Sequence, residues 1–334
     1  MHMADRTVLV TGATGAVGPQ VVRACQAAGY AVRALSVDLP DAGVLPPGVD
    51  VRVGDVCDRH TVRTAVAGVE VVVHLAALLH QFDSGADLEA EYERVNVGGT
   101  DNVAHAAVAE GVGRVVLLST IAVYGPSSQR PSDENTPPNP DTAYGRTKLA
   151  AERVVLAAER GGRPIGTVLR SAAAYGSRVK GNYRRLALAI ARHRFVPLGP
   201  GTNRRTLVHD HDLARAVILA CKHPAAAGAV FNVSDGAVHT LAEIVAAIHR
   251  AVGRRPPRFR VPLPAARAAL GVCESAARLA GVRPPVSRAL LRKYSEDSAV
   301  DAALIQRVLG FSPSVDLDRG WRETMTALRR AGAW

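Results

Sequence analysis

The sequence predicts an α/β fold, a doubly wound parallel sheet with a smaller C-terminal part interleaved with its last elements. Three observations carry this. Short β-rich runs alternate with helical stretches through the first half, the order that builds a parallel sheet with crossover helices. A turn of small residues, Thr11-Gly12-Ala13-Thr14-Gly15-Ala16-Val17-Gly18, stands between the first β run and the first helical stretch. After about Tyr175 the alternation loses its regularity, and Pro, Gly and Arg become frequent.

Element by element, residues 7–11 read as a strand, 19–28 as a helix stopped by Gly29, 31–35 as a second strand and 51–53 as a third. Residues 70–75 are an almost continuous apolar run, as expected of a strand buried on both faces. An Ala-rich helix over 89–110, a buried strand over 114–119, a helix over 142–160 and a strand over 164–170 follow. Helical spacing returns at 183–193, 212–222, 241–251 and 302–309. There is no internal repeat and no low-complexity segment.

The 334 residues are 48% apolar, enough for one large α/β domain or a large and a small one. No apolar run reaches the roughly 18 uncharged residues of a membrane span. The nearest, 262–281, is interrupted by Arg267, Glu274 and Arg278 and reads as one or two Ala-rich surface helices, with a membrane-binding helix as the alternative. Met1-His2-Met3-Ala4 runs almost directly into a strand without a basic and apolar leader, so no signal peptide is expected. Cys25, Cys57, Cys221 and Cys273 lie far apart without zinc-type spacing and read as free thiols in a reducing cytoplasm. The formal net charge of +11 is scattered along the chain. It suits a polyanionic small ligand better than nucleic acid, which is not expected as a partner.

The glycine turn has the strand–turn–helix setting in which small residues let backbone approach a pyrophosphate, with the helix N-terminus supplying N–H donors. Gly12, Thr14, Gly15, Ala16, Val17 and Gly18 are therefore candidate cofactor residues in a Rossmann-type domain. The residue that reads the adenosine ribose falls at Ser36, with Asp38 two positions on. Asp38 and the absence of a nearby Arg beyond the strand end favour NAD over NADP, which stays open. Asp55, followed by Val56, is placed either to accept from an adenine amino group or to cap a helix from Arg59.

Tyr144 and Lys148 are four residues apart on a helix and share a face. A lysine ammonium beside a phenol lowers the phenol pKa and makes it a usable proton acceptor. Ser119 and Thr120 end a parallel strand at its carboxyl edge, where open α/β sheets place ligands.

These segments, together with Gly54-Asp55, His74-Leu75-Ala76-Ala77, Asn96-Val-Gly-Gly-Thr100 and the run from Ser119 to Gly125, resemble the extended short-chain dehydrogenase/reductases over nearly the whole chain. The resemblance implies that Tyr144 is the general acid/base, that Lys148 binds the nicotinamide ribose and tunes Tyr144, and that Thr120 holds the reacting oxygen with Ser119 nearby. It adds Leu75, Ala76, Ala77 and Asn96 to the cofactor site. The run from Gly199 to Asp212 looks like the segment in which nucleotide-sugar enzymes place an Arg on the diphosphate, and Arg205 is the match. An Arg grips phosphate oxygens with two parallel bonds. Read alone, His209-Asp210-His211-Asp212 could suggest a metal, but Asp212 more simply caps a helix, and no metal is expected. Segments from Val179 through Asn182, and from His223 to Ser234, are similar to bacterial nucleotide-sugar 4-epimerases and 4-ketoreductases.

Two departures narrow the activity. Sugar 4,6-dehydratases of this family carry Asp-Glu after the active-site Thr, where this chain has Ile121 and Ala122, which do no acid/base work. Galactose epimerases commonly carry an Asn where this chain has Ala173. The expected function is NAD(P)-dependent redox chemistry at a sugar carbon, C4, of a nucleotide sugar bound by Thr120, Tyr144, Ala173, Asn182 and Arg205, as a 4-epimerase or 4-ketoreductase. A steroid-type alcohol dehydrogenase and a non-catalytic NAD(P)-binding protein are the alternatives. The expected division is a dinucleotide-binding domain over 4–176, with 207–235 partly returning to it, and a substrate domain from 177–206 and 236–334. A homodimer packed through 89–110 and 142–160 and a cytoplasmic location complete the expectation.

Overall fold

The computed structural model describes residues 6–79, 86–126, 130–257, 259–266, 268, 271 and 296–334. Strands β1 (Thr7–Thr11), β2 (Ala31–Ser36), β3 (Asp50–Val53), β4 (Val71–His74), β5 (Arg114–Thr120), β6 (Gly166–Ser171) and β7 (Val230–Val233) form one sheet in the order β7-β6-β5-β4-β1-β2-β3. Every pairing in it is parallel. The order reverses direction between β1 and β4, which leaves a crevice at their carboxyl ends. β4 and β6 are buried throughout, so the polar side chains they carry, His74, Thr167, Arg170 and Ser171, sit inside the sheet layer.

Helices α1 (Gly18–Ala27), α2 (Arg59–Val66), α3 (Ala86–Tyr92), α4 (Gly99–Ala109), α5 (Ala143–Leu156), α6 (Gly181–Ala191), α7 (Asp210–Lys222), α8 (Leu241–Ala251), α9 (Ala303–Leu309) and α10 (Leu317–Arg330) surround the sheet or follow it. Val21, Val22 and Cys25 of α1 pack with Leu213, Val217 and Ala220 of α7 in one core layer. Val62 of α2, Val103 and Ala107 of α4, and Ala151 and Val155 of α5 fill the other. A third core joins Ile190 of α6, Ile244 and Ile248 of α8 and Trp321 and Met325 of α10 to Tyr175 and Leu207. The last helix, α10, is not anticipated by the sequence reading. Its buried positions Trp321, Met325 and Leu328 keep helical spacing, but charged residues fill the turns between them.

Several expectations shift. The single helix over 89–110 is broken by a π-helical turn, Glu93–Gly98, whose extra residue turns Asn96 inward. One inserted residue barely disturbs an apolar pattern, so periodicity does not reveal it. The helix over 142–160 stops at Leu156. Glu159–Arg160 and Arg163–Pro164 then pair antiparallel around Gly161 and Gly162, both with positive φ. Asp55 does not cap α2; Asp58 does, accepting from the backbone N–H of His60 at 3.0 Å. Asp212 does not cap α7, which starts two residues earlier with His209 as its cap. It is buried instead and accepts from the Ser314 N–H and hydroxyl and the Val315 N–H. Most of 262–281, including the surface-helix or membrane-helix reading, and Cys273 lie outside the described residues. Among the described residues no helix is long and apolar enough to cross a membrane, and Cys25, Cys57 and Cys221 are free thiols.

An ion pair sits inside the sheet layer. Arg170 of β6 donates from Nη2 to Glu152 of α5 at 2.7 Å and from Nε to both carboxylate oxygens at 3.1 Å. Its Nη1 donates to the Tyr124 hydroxyl at 2.9 Å, and that hydroxyl donates to Asn232 of β7 at 2.9 Å. Removing one partner of a buried pair leaves the other charge uncompensated, at a cost of about 3–5 kcal/mol. Arg170→Leu is therefore expected to lower the unfolding free energy by about that amount, measured by urea denaturation. The double variant Arg170→Leu/Glu152→Leu should recover more than half of the loss. An unchanged midpoint in the single variant would mean that the pair does not hold the fold.

Candidate active site

The glycine turn leads from β1 into α1 over the crevice. Gly12 has φ 66° and donates its N–H to Leu35 O at 3.0 Å. A Cβ there would lie 2.7 Å from the Ala76 nitrogen, so the turn lies directly against the segment after β4. Leu75 and Ala76 donate their N–H groups to the Thr11 carbonyl and hydroxyl, with Ala77 next in line. Gly15 closes the turn through its N–H to Gly12 O at 3.0 Å, and Ala16, Val17 and Gly18 lead into α1. The α1 N-terminus has no side-chain cap and no acid in its first turn. Its N–H groups and dipole therefore fit a pyrophosphate, and the close backbone approach fits a dinucleotide.

Beside the turn, the hydroxyls of Thr14 and Ser36 are 3.2 Å apart, and Ser36 donates to Asp38 O at 2.7 Å. Ser36 is thus a brace between strand and turn, and Asp38 is exposed beyond it. Asp55 accepts from the Cys57 N–H at 2.9 Å and faces Arg94 at 3.5 Å. The Val56 side chain is buried and packs beside Gly99, so only its backbone is open to a ligand.

A buried chain of hydrogen bonds runs from the glycine turn to the π-helical turn. The Thr11 hydroxyl meets His74 Nδ1 at 2.7 Å, and His74 Nε2 meets the Thr100 hydroxyl at 3.0 Å. Thr100 donates onward to Asn96 O at 2.6 Å, so Nε2 carries the imidazole proton and Nδ1 accepts. Burial and the nearby Lys148 push the His74 pKa down to about 3, which keeps it neutral. The Asn96 side chain accepts from Leu78 N–H at 2.8 Å and donates to the Thr147 hydroxyl at 3.1 Å. Thr147 in turn donates to the Tyr144 carbonyl at 3.1 Å.

Tyr144, Lys148 and Glu152 follow one another at four-residue steps on the buried face of α5. Thr142 caps the helix through the Gly145 N–H at 3.0 Å. Because residue 145 lacks a side chain, the helix start packs against the turn after β5, where a Cβ would come 2.8 Å from Ala122 O. This brings Tyr144 to Thr120, which acts on the phenol to favour its ionised form. Burial pushes the Tyr144 phenol above its ordinary value, and the opposing pull comes from Thr120. The expected lowering by Lys148 is not what governs the phenol here. Burial also pulls the Lys148 ammonium down to about 8, against the raising effect of Glu152. Ser119 is not brought to the same point. Its hydroxyl donates to Glu152 at 2.5 Å, on the side of β5 that faces α5.

On the C-terminal side, Ala173 is half-buried and pairs with Leu207 in a short parallel ladder. Asn182 is exposed in the first turn of α6, next to Tyr183. Arg205 acts on the Tyr183 phenol electrostatically, so α6 and the 204–205 strand face one space. The four residues 209–212 do not converge. Asp210 accepts from the Ser177 N–H and hydroxyl, while Asp212 is held by Ser314 and Val315.

Sequence reasoning missed Glu152, Arg170, His74 as a wired residue, and Thr147. Three of the four carried a signal. Glu152 continues the Tyr144–Lys148 spacing, and Arg170 and His74 are the ionisable residues of otherwise uncharged strands.

A UDP-glucose 4-epimerase of Vibrio cholerae is 29% identical over 98% of this chain and 96% of that one. A 3 beta-hydroxysteroid dehydrogenase/Delta 5→4-isomerase of Mycobacterium tuberculosis is 28% identical over 92% and 86%. Among solved structures, MoeE5 in complex with UDP-glucuronic acid and NAD is 28% identical, covers 97% of this chain and 99% of that one, and superposes with a TM-score of 0.75. Residues 8–234, from β1 through β7, match a single family model, and the protein is an enzyme of the NAD dependent epimerase/dehydratase family.

Proposed function

We propose that the protein carries out redox chemistry at C4 of the sugar of a nucleotide sugar, as a 4-epimerase or 4-ketoreductase with Tyr144 as acid/base. One observation carries this reading: buried Tyr144 is brought to Thr120 at the carboxyl edge of the sheet, one helical turn from buried Lys148. NAD, the cofactor that the glycine turn and α1 fit, supplies hydride acceptance and return. Tyr144 takes the proton of the C4 hydroxyl as the hydride leaves C4, and gives it back to the keto oxygen in the reverse direction. Thr120 orients that oxygen and favours the phenolate, and Lys148 binds the nicotinamide ribose. Asn96 fixes the backbone after β4 and the start of α5. Arg205, with Asn182 and Ala173 around the same space, takes the diphosphate end. The UDP-glucose in the epimerase's name and the UDP-glucuronic acid bound to MoeE5 support a UDP-sugar. Ile121 and Ala122 disfavour dehydration. A steroid-type dehydrogenase is the second reading, favoured by the mycobacterial relative and Ala173. Arg205, the match for a diphosphate-binding arginine, stands against it. The division of labour between 4–176 and the substrate segments, the homodimer and the cytoplasmic location belong to the same proposal.

Tyr144→Phe should lower turnover by about 10²-fold or more while leaving NAD binding intact. Steady-state rates alongside cofactor titration check this, and unchanged turnover removes Tyr144 from the mechanism. Mass spectrometry of the supernatant from denatured protein should find NAD near one per chain if the enzyme is a self-contained epimerase. An empty site that binds NADH or NADPH reversibly points to the ketoreductase, and no affinity for any of them overturns the reading. Light scattering after size exclusion should give twice the chain mass; a clean monomer refutes the dimer.

A further inference from the structure

The strand Arg204–Arg205 pairs antiparallel with His239–Thr240, with Arg205 opposite His239. Residues directly opposite in an antiparallel pair project from the same face, and neighbours along a strand from opposite faces. Arg204 accordingly points away and is neutralised by Asp297, with Nε 2.9 Å from a carboxylate oxygen. Arg205 and His239 stand side by side on the other face. Tyr183 of α6 borders that face too, since Arg205 and Asp235 both act on its phenol. Asp235 is anchored by its own N–H to Leu207 O at 2.7 Å and by the Ala237 N–H on its carboxylate at 3.2 Å. It holds His239 Nε2 at 2.6 Å, with both side chains largely out of solvent.

This fixes what the imidazole can offer. Nε2 is engaged by Asp235 in either protonation state, so Nδ1 is an acceptor in the neutral ring and a donor only in the imidazolium. We propose that His239 is a second anchor for the substrate's diphosphate, its imidazolium presenting Nδ1–H beside Arg205 while Asp235 holds Nε2, so that affinity for the nucleotide sugar is gated by the protonation of this ring. This rests on the nucleotide-sugar reading above and adds to it a residue and a pH dependence. Charge works in the same direction as geometry. The neutral ring leaves the Asp235 carboxylate uncompensated beside the anion, whereas the imidazolium cancels it. The groups around the ring are Asp235 on the preceding loop, Glu243 of α8 (occupied in capping Thr240), Arg205 on the paired strand and Tyr183 of α6. Asp235 and Glu243 raise the His239 pKa, against the lowering effect of burial. The charged form is thus kept to higher pH than in a free histidine, and its contribution is lost as pH rises through that raised value.

The test is calorimetric titration of the cofactor-loaded enzyme with UDP-glucose, dTDP-glucose and GDP-mannose between about pH 6 and 8.5, a range over which histidine changes charge and these diphosphate diesters do not. For the tightest of the three, the wild-type dissociation constant should rise by about tenfold or more across the range. His239→Gln should bind with the weak, high-pH affinity throughout, and His239→Lys should bind tightly at every pH. Arg205→Ala should weaken binding at all pH values. If Arg205→Ala weakens binding while His239→Gln keeps the wild-type pH profile, the role of His239 is refuted and the substrate reading stands. If none of the three sugars binds, or Arg205→Ala binds as wild type does, the substrate reading fails and the anchor with it.

Discussion

The Arg170–Glu152 pair joins β6, α5, the turn after β5 and β7 through one set of buried charges. Two ions removed from water carry a desolvation penalty of several kcal/mol each, and their mutual attraction offsets it only when the remaining donors and acceptors are also met. Here they are met. Tyr124 takes the free guanidinium nitrogen, Ser119 donates to the carboxylate, and Asn232 completes the Tyr124 hydroxyl. The consequence is geometric as much as energetic. Glu152 lies two turns along α5 from Tyr144, so locking Glu152 to the sheet sets the height and rotation of the helix. It also places a carboxylate one turn from Lys148, which raises the ammonium pKa against burial.

A second network approaches Tyr144 from the other side. The chain from Thr11 through His74, Thr100 and Asn96 to Thr147 ends on the Tyr144 carbonyl. It begins in the turn proposed to hold the cofactor and ends on the residue proposed to move the proton. The π-helical turn is what lets it close. A regular helix would carry Asn96 about 100° further round and away from Leu78 and Thr147. The local departure from helical geometry is thus matched by three side-chain hydrogen bonds of one asparagine.

What was legible in the sequence divides by range of interaction. The glycine turn, the Tyr144–Lys148 spacing and the alternation of strands and helices are local patterns, and the sheet follows them closely. Ser119 and Asp212 were read by their neighbours, yet the partners that settle them are remote. Ser119 meets Glu152 across 33 residues and Asp212 meets Ser314 across 102. A short polar side chain has local options as a cap or a ligand, and only tertiary packing chooses among them. The same limit hid Arg170. Its place in an apolar strand showed that a partner must exist without showing which.

The protonation balance at Tyr144 follows from this packing. Burial raises the phenol and lowers the Lys148 ammonium to about 8, so near neutral pH the phenol is protonated while the lysine stays largely charged. A phenol so placed is better suited to donate a proton to a keto oxygen than to take one from an alcohol. Under the proposed mechanism, oxidation of the alcohol needs positive charge beside the phenolate, and a bound oxidised nicotinamide would add to it. A phenol protonated in the resting protein is a consequence of burying the pair at the end of β5, and a solvent-exposed Tyr–Lys pair at the same spacing would not impose it.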